Sequence, residues 1–150
     1  KLLKAFMYAF RGVYTFFSRD PNGKLELCFA IIAIATGFVL HISNTEWIAV
    51  LLCTAMVISL EMINASIEKL CDMVEPNIHP AIKIIKDIAA GAVLVSAVVS
   101  LIIGLIIFLP KIFEQLINMK KKSSINSILY LSLLRSEEHT SELQSLAYLV

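Results

Sequence analysis

The sequence lacks the glycine-rich loops with which many nucleotide-binding proteins hold phosphate groups. It has no GxxxxGK(S/T) segment and no GxGxxG segment, and its five glycines are dispersed. No Ser-His-Asp or zinc-ligand pattern stands out. Three cysteines, Cys28, Cys53 and Cys71, lie in or beside apolar segments without metal-ligand spacing. We therefore expect reduced thiols rather than a disulfide framework.

Charged residues are also scarce. They make up 17% of the 150 residues, and the formal net charge of +1 gives no reason to expect a nucleic-acid partner. Hydrophobic residues make up 58%, above the roughly 45–50% of soluble domains. No short apolar core with a cleavage site follows the basic N-terminus, so no cleavable signal is predicted. Because the chain opens on Lys1 rather than Met, we expect a few residues to precede it.

Hydrophobic runs predict an all-α membrane protein with three transmembrane helices. Before them, a mixture of basic and apolar residues predicts an amphipathic helix in the membrane interface. An ordinary amphipathic helix that packs on a partner is the alternative. The third run has no charged residue, and Pro110 is expected to close it. The predicted order is an interfacial helix over 1–19, a turn over 20–23, spans over 27–40, 47–70 and 88–109, and a loop over 73–83.

Basic residues are distributed unevenly around these spans. Five precede the first span and three flank the loop between the second and third spans, whereas the loop between the first two has none. By the positive-inside rule the N-terminus and the second loop face the cytoplasm. The basic run Lys120-Lys121-Lys122 conflicts with this orientation, because it follows the third span and would lie outside.

An acidic stripe at the end of the second span is the most informative feature. At 100° per residue, Glu68 and Asp72 fall within about 20° of Glu61 on one helix face, and Asn64 lies about 60° away. Carboxylates at membrane depth are costly and usually functional. The alternatives are a polar seam between helices, or carboxylates that have simply reached the interface.

The chemistry suggested by this stripe is phosphoryl transfer. Lys86 and Asp87 follow the second loop at the start of the third span. Carboxylates can hold Mg²⁺ beside nucleotide phosphates, a lysine suits phosphate, and a carboxylate near a lipid hydroxyl could act as a general base. On composition alone, proton relay, ion binding and a structural seam stay open.

The pattern ExxNASIExxxD, followed by His79 and then KDIAAGAVLV, resembles the small bacterial membrane kinase family of diacylglycerol kinase and undecaprenol kinase. The resemblance covers residues 1–113 and includes Phe10-Arg11-Gly12. It implies an ATP- and Mg²⁺-dependent kinase of a membrane lipid hydroxyl. It also implies a homotrimer in the bacterial cytoplasmic membrane, with sites shared between protomers.

The resemblance also implies residue roles. Glu61 resembles the catalytic base and Glu68 a metal ligand, while Asp20 stands where the family usually has a second metal-binding Glu. Asn64 and Asp72 would support them. The nucleotide-binding positions would be Tyr8, Asp20, Glu68, Asn77, His79, Lys86 and Asp87. Taken alone, His79 could equally be a loop histidine and Tyr8 an interfacial aromatic.

Two questions stay open after the resemblance. The substrate could be undecaprenol or diacylglycerol, and the turn over 20–23, the loop near Trp47 and the Phe108-Leu109-Pro110 end favour undecaprenol. A different class, a non-catalytic helical membrane protein with a polar helix–helix seam, is the alternative function.

The tail over residues 114–150 is expected to lie outside the kinase domain of residues 1–113. Residues 135–145 read RSEEHTSELQS, which resembles the translation of a common sequencing adapter. We therefore interpret the tail as artefactual or disordered, with the true C-terminus between residues 114 and 134. A genuine soluble tail is the alternative. His139 and its acidic neighbours are not interpreted as a metal site.

The tail should accordingly be dispensable. A chain truncated after Leu116 is expected to insert into membranes and to keep full kinase activity, because every motif lies before that residue. The measurement is lipid phosphorylation per mole of purified protein, compared with the full chain. Loss of activity with normal insertion would show that the tail belongs to the enzyme.

Overall fold

The computed structural model describes residues 2–77 and 79–147, with side chains described as far as residue 136. It has four helices: α1 (Leu2–Arg19), α2 (Pro21–Val39), α3 (Asn44–Val74) and α4 (Pro80–Ala147). Three segments are long and apolar enough to cross a membrane, namely α2, α3 and residues Pro80–Ser136 of α4. The predicted all-α membrane fold with three spans is confirmed.

A single residue connects α1 to α2. Asp20 is the N-cap of α2, and its side chain accepts a hydrogen bond from the backbone N–H of Asn22. Pro21 occupies the first helical position, where its fixed φ and missing N–H cost nothing. The predicted turn over 20–23 is therefore wrong beyond Asp20, since Asp-Pro at this place starts a helix instead of a loop.

The α1–α2 connection brings two backbones close together. A Cβ added to Gly23 would lie 2.7 Å from the carbonyl oxygen of Phe16, closer than any side chain could approach. Phe16 is the buried residue of α1. The absence of a side chain at Gly23 thus lets α2 start directly against the end of α1.

The opposite end of the α2–α3 hairpin is held by an apolar cluster. Its buried members are Leu40, Ile42, Val50 and Ile107, and Trp47 packs against them. Ser43 and Glu46 form a reciprocal capping box that starts α3. Together they fix the hairpin at the end remote from Glu61.

The helix α3 is longer than a membrane span. At about 1.5 Å per residue its 31 residues extend about 46 Å, against a hydrocarbon core of ~30 Å. A span that begins near Trp47 therefore leaves the hydrocarbon at about Ser66. The acidic stripe therefore begins with Glu61 in the last turns of the span and continues beyond the hydrocarbon.

Two predicted boundaries around α4 are wrong. The predicted loop over 73–83 is wrong at both ends: α3 continues to Val74, and Pro80 takes the first position of α4 instead of lying in a loop. Pro110 does not end the helix, which continues to Ala147. Proline removes one backbone hydrogen bond, and α4 accommodates that loss.

The contacts divide the chain into two units, Lys1–Leu109 and Pro110–Val150. The first contains the hairpin and both of its ends. The second consists of helix in its described residues, and every large hydrophobic side chain assessed between Ile112 and Leu134 is exposed. The domain boundary at residue 113 and the artefactual origin of the tail stay predictions.

Packing at Gly37 yields a stability prediction. A Cβ there would lie 2.8 Å from the ring of Trp47 and 3.0 Å from Ile42. Gly37→Ala should therefore lower the free energy of unfolding by about 1–3 kcal/mol, as overpacking does. Thermal unfolding in detergent is the measurement. Gly104→Ala is the matched control, because its Cβ would meet Phe108 at an ordinary 3.9 Å; equal effects in both variants would contradict the packing argument.

Candidate active site

The acidic stripe of α3 faces the start of α2. Glu61 is buried, with 6% of its surface exposed, and its Oε1 accepts a 2.7 Å hydrogen bond from Nδ2 of Asn22. Asn22 is the second residue of α2, so this contact joins two helices across 39 positions of sequence. A buried carboxylate without a partner would be costly, and the amide N–H satisfies one of its oxygens.

One helical turn further along α3, Asn64 is buried at 5% exposure. Its Nδ2 donates to Oε1 of Glu68 at 3.1 Å. Its Oδ1 is buried and has no hydrogen-bond partner in the part of the chain that the structure describes. Orphaned buried acceptors are rare, so this oxygen marks a place where a donor from outside the chain could bind.

Asp20 does not contact Glu68 directly in the described contacts but pairs with Lys69. The distance from Lys69 Nζ to Asp20 Oδ2 is 3.0 Å. Burial pushes the pKa of Asp20 upward, but the hydrogen bonds from Lys69 and the Asn22 backbone, with the charge of Lys69, pull it down further. The net effect is a pKa below the ordinary 3.8, so Asp20 is ionised at neutral pH.

A second ion pair joins α4 to the end of the stripe. Lys86 Nζ donates to Oδ1 of Asp72, with Lys86 half-buried and Asp72 exposed. The predicted supporting residue Asp72 and the predicted phosphate ligand Lys86 therefore neutralise each other within one chain.

The remaining predicted nucleotide-binding residues lie outside this cluster. Tyr8 is exposed on α1, and Asp87 is exposed on α4. Asn77 donates to Glu75 through both its backbone and its side chain. His79 caps α4, with Nδ1 accepting from the backbone N–H of Ala81 at 3.2 Å. None of these contacts tests a role toward a nucleotide, so the four assignments stay predictions.

A metal site complete within one chain is not formed. Among the described residues no group of three His, Cys, Asp or Glu side chains converges in a way that could hold an ion. Mg²⁺ does not require such a cage, since it usually binds one or two carboxylates together with water and substrate phosphates. The oxygen donors of Glu68 and Asp20 fit that pattern, while a soft metal would have no suitable ligands here.

Two contacts of this site could not be predicted from the sequence. Nothing in a helical projection of α3 shows that Asn22 reaches Glu61 or that Lys69 reaches Asp20, because both depend on how the hairpin packs. A usable signal was the Asp-Pro pair, which is typical of a helix start and would have placed Asn22 in the first turn of α2.

Comparison with known proteins identifies the family of the chain. Residues 7–108 match the family model described as prokaryotic diacylglycerol kinase. An undecaprenol kinase of Bacillus subtilis (strain 168) is 38% identical over 112 residues, covering 75% of this chain and 91% of the relative. A diacylglycerol kinase of Synechocystis sp. is 31% identical over 117 residues, covering 77% and 67%. A third relative, a diacylglycerol kinase of Helicobacter pylori (strain J99), is 28% identical over 98 residues, covering 65% and 77%.

Three membrane-spanning helices and these matches define an integral-membrane lipid kinase. The chain belongs to the prokaryotic diacylglycerol kinase family, of which undecaprenol kinases are also members. The predicted family, fold class and lipid kinase activity are therefore confirmed.

Proposed function

We propose that this kinase transfers the γ-phosphoryl group of MgATP to a lipid hydroxyl at the membrane surface, with Glu61 as general base. The observation that carries the proposal is the buried Glu61 carboxylate, held at 2.7 Å by Asn22 in the last turns of the membrane span. A lipid hydroxyl would reach this carboxylate at the same end of the span.

The residues would act as follows. Glu61 takes the proton of the lipid O–H group while the hydroxyl oxygen bonds to the γ-phosphorus. The bond between that phosphorus and the oxygen bridging to the β-phosphate breaks, and ADP leaves with the electron pair. The proton held by Glu61 then passes to water. Such transfers depend on positioning and charge stabilisation more than on covalent chemistry, which is why a small helical site can suffice.

Glu68 and Asp20 are the proposed metal ligands. Mg²⁺, when bound, would neutralise phosphate charge. Lys86 would contact phosphate, and its present partner Asp72 serves as a counter-ion that phosphate can replace. Lys69 is likewise a counter-ion of Asp20, and a metal ion can replace it. Tyr8, Asn77, His79 and Asp87 are proposed to complete the nucleotide site.

We propose undecaprenol as the lipid substrate. Its support is the sequence preference for that branch and the 38% identity to an undecaprenol kinase, against 31% and 28% to the diacylglycerol kinases. Purified protein in detergent, given ATP and either lipid, tests this directly. Faster turnover of diacylglycerol would overturn the choice of lipid without affecting the kinase assignment.

We also propose a homotrimer in the bacterial cytoplasmic membrane with a cytoplasmic N-terminus. Its support is the exposure of the spans: most large hydrophobic side chains of α2, α3 and the described part of α4 are exposed, and no group of three metal-ligating side chains converges among the described residues. The charge asymmetry supports the orientation. A protein of this kind would place the α3 stripe beside a partner's nucleotide-binding residues.

Substitution of the two stripe glutamates should separate catalysis from structure. Glu61→Gln keeps the shape and the contact with Asn22 but cannot take a proton, so kcat should fall by about 10²–10⁴-fold. Glu68→Gln removes a metal ligand, so the apparent affinity for MgATP should fall, with partial rescue by excess Mg²⁺. Steady-state kinetics with varied lipid, ATP and Mg²⁺ are the measurement.

A non-catalytic polar seam predicts a different pattern for the same variants. Both would then alter assembly or thermal stability, and neither would have a kinetic signature of its own. A kcat near that of the wild type in well-folded Glu61→Gln would remove Glu61 as the base.

Substitution of Asp20 tests the second metal ligand. Asp20→Glu should preserve or raise activity, because the longer carboxylate reaches further toward a metal shared with Glu68. Asp20→Ala should weaken the use of Mg²⁺, so that more Mg²⁺ is needed for the same activity, but it also removes the N-cap of α2. Asp20→Asn is the matched control, since it keeps the cap and loses only the charge. An unchanged Mg²⁺ titration in Asp20→Asn would exclude Asp20 from the site.

A further inference from the structure

We propose that Asn22 is a positioning residue for phosphoryl transfer, which it serves by fixing the carboxylate of Glu61. This inference rests on the proposed role of Glu61 as general base. It concerns a side chain that the resemblance left without a role. The observation behind it is the hydrogen bond that the Asn22 side chain donates to one oxygen of Glu61.

The hydrogen bond from Asn22 to Glu61 is short, and the backbone at Asn22 is restricted on both sides. Nδ2 of Asn22 lies 2.7 Å from Oε1 of Glu61. Asn22 stands in the first turn of α2, directly after Pro21, and its backbone N–H is tied to Oδ1 of Asp20 at 3.1 Å. Pro21 and the cap restrict the backbone on the N-terminal side of Asn22. The close approach of Gly23 to Phe16 restricts it on the other side.

The charge of the acceptor determines which way the amide faces. An ionised carboxylate attracts the NH₂ end of an amide and repels its carbonyl oxygen. Across the α2–α3 hairpin, Glu26 is near enough to Glu61 for the two carboxyl groups to interact electrostatically. Among the hydrogen bonds of the described residues, the one from the Asn22 side chain is the contact that orients the Glu61 carboxyl group.

In the reaction, the two carboxylate oxygens of Glu61 therefore have different roles. Asn22 occupies Oε1, so the proton of the lipid hydroxyl goes to Oε2. In the same step the hydroxyl oxygen bonds to the γ-phosphorus and ADP leaves. Without Asn22 the Glu61 side chain can rotate, and a misplacement of about 1 Å can cost about 10²-fold in rate.

The test is a double-mutant cycle between Asn22 and Glu61, measured as kcat with saturating lipid and MgATP. Asn22→Leu keeps the side-chain size and leaves the backbone N–H to cap α2. It should lower kcat about 10–100-fold with little change in the KM for MgATP. In a Glu61→Gln background the same substitution should change kcat less than ~2-fold, because the base through which Asn22 acts is already gone.

Two further variants distinguish positioning from packing. Asn22→Gln retains a donor and should regain part of the activity that Asn22→Leu loses. Asn22→Asp is isosteric but places a second carboxylate against Glu61, so its kcat should be lower than that of Asn22→Leu. Asn44→Leu is the matched control: Asn44 is an exposed residue in the first turn of α3, at the other end of the hairpin. Its kcat should stay within ~2-fold of the wild type.

The possible failures are distinct. An equal loss from Asn22→Leu in the wild-type and Glu61→Gln backgrounds would mean a structural role and overturn this inference alone. A normal kcat in Asn22→Leu together with a low kcat in Glu61→Gln would do the same. A normal kcat in Glu61→Gln would overturn the general-base assignment, and the role of Asn22 with it. If Asn22→Leu does not fold, Asn22→Ser, which is too short to reach Glu61, takes its place in the cycle.

Discussion

Burial of one carboxylate at the edge of a membrane span constrains the rest of this structure. Glu61 is 6% exposed, and a polar group so placed needs hydrogen bonds to offset the loss of water. Its donor, Asn22, can reach it only if α2 starts where it does. That start depends on the Asp20 cap, on Pro21 at the first helical position and on the bare backbone of Gly23. A local sequence of four residues therefore determines the environment of a side chain 39 positions away.

Near Glu61, charged side chains form two ion pairs in which a ligand can replace one partner. Asp20 binds Lys69 and Asp72 binds Lys86, and in each pair at least one partner is well exposed. Ion pairs with a well-exposed partner contribute little to stability, so a metal ion or a phosphate group can displace them at little cost. Glu61 differs, because its partner is a neutral amide and not a charged side chain. The contrast agrees with a fixed base beside adaptable ligands.

Much of the fold followed from the sequence, whereas the contacts of the site did not. Three apolar runs predicted three spans, and the family pattern led to a lipid kinase; both were confirmed. The predicted boundaries at Pro21 and Pro80 were wrong, because proline is well suited to the first turn of a helix. The boundary at Pro110 was wrong for a different reason, since Pro110 lies inside α4 and the helix continues past it. The helical projection placed Glu61, Glu68 and Asp72 on one face. It could not show which of them would be paired, since Asn22 and Lys86 come from other helices.

The buried Oδ1 of Asn64 is a candidate contact for the hydroxyl group of the lipid. Asn64 lies between Glu61 and Glu68 on α3, and its Nδ2 is committed to Glu68 while its buried Oδ1 has no partner in the described part of the chain. A hydroxyl is a donor that could satisfy such an oxygen. A lipid O–H bonded first to Asn64 would lie one helical turn from Glu61, on the same side of α3. Desolvation of Oδ1 in the free enzyme would then favour substrates that bring a donor to this depth, and a lipid without a hydroxyl would leave the oxygen unsatisfied.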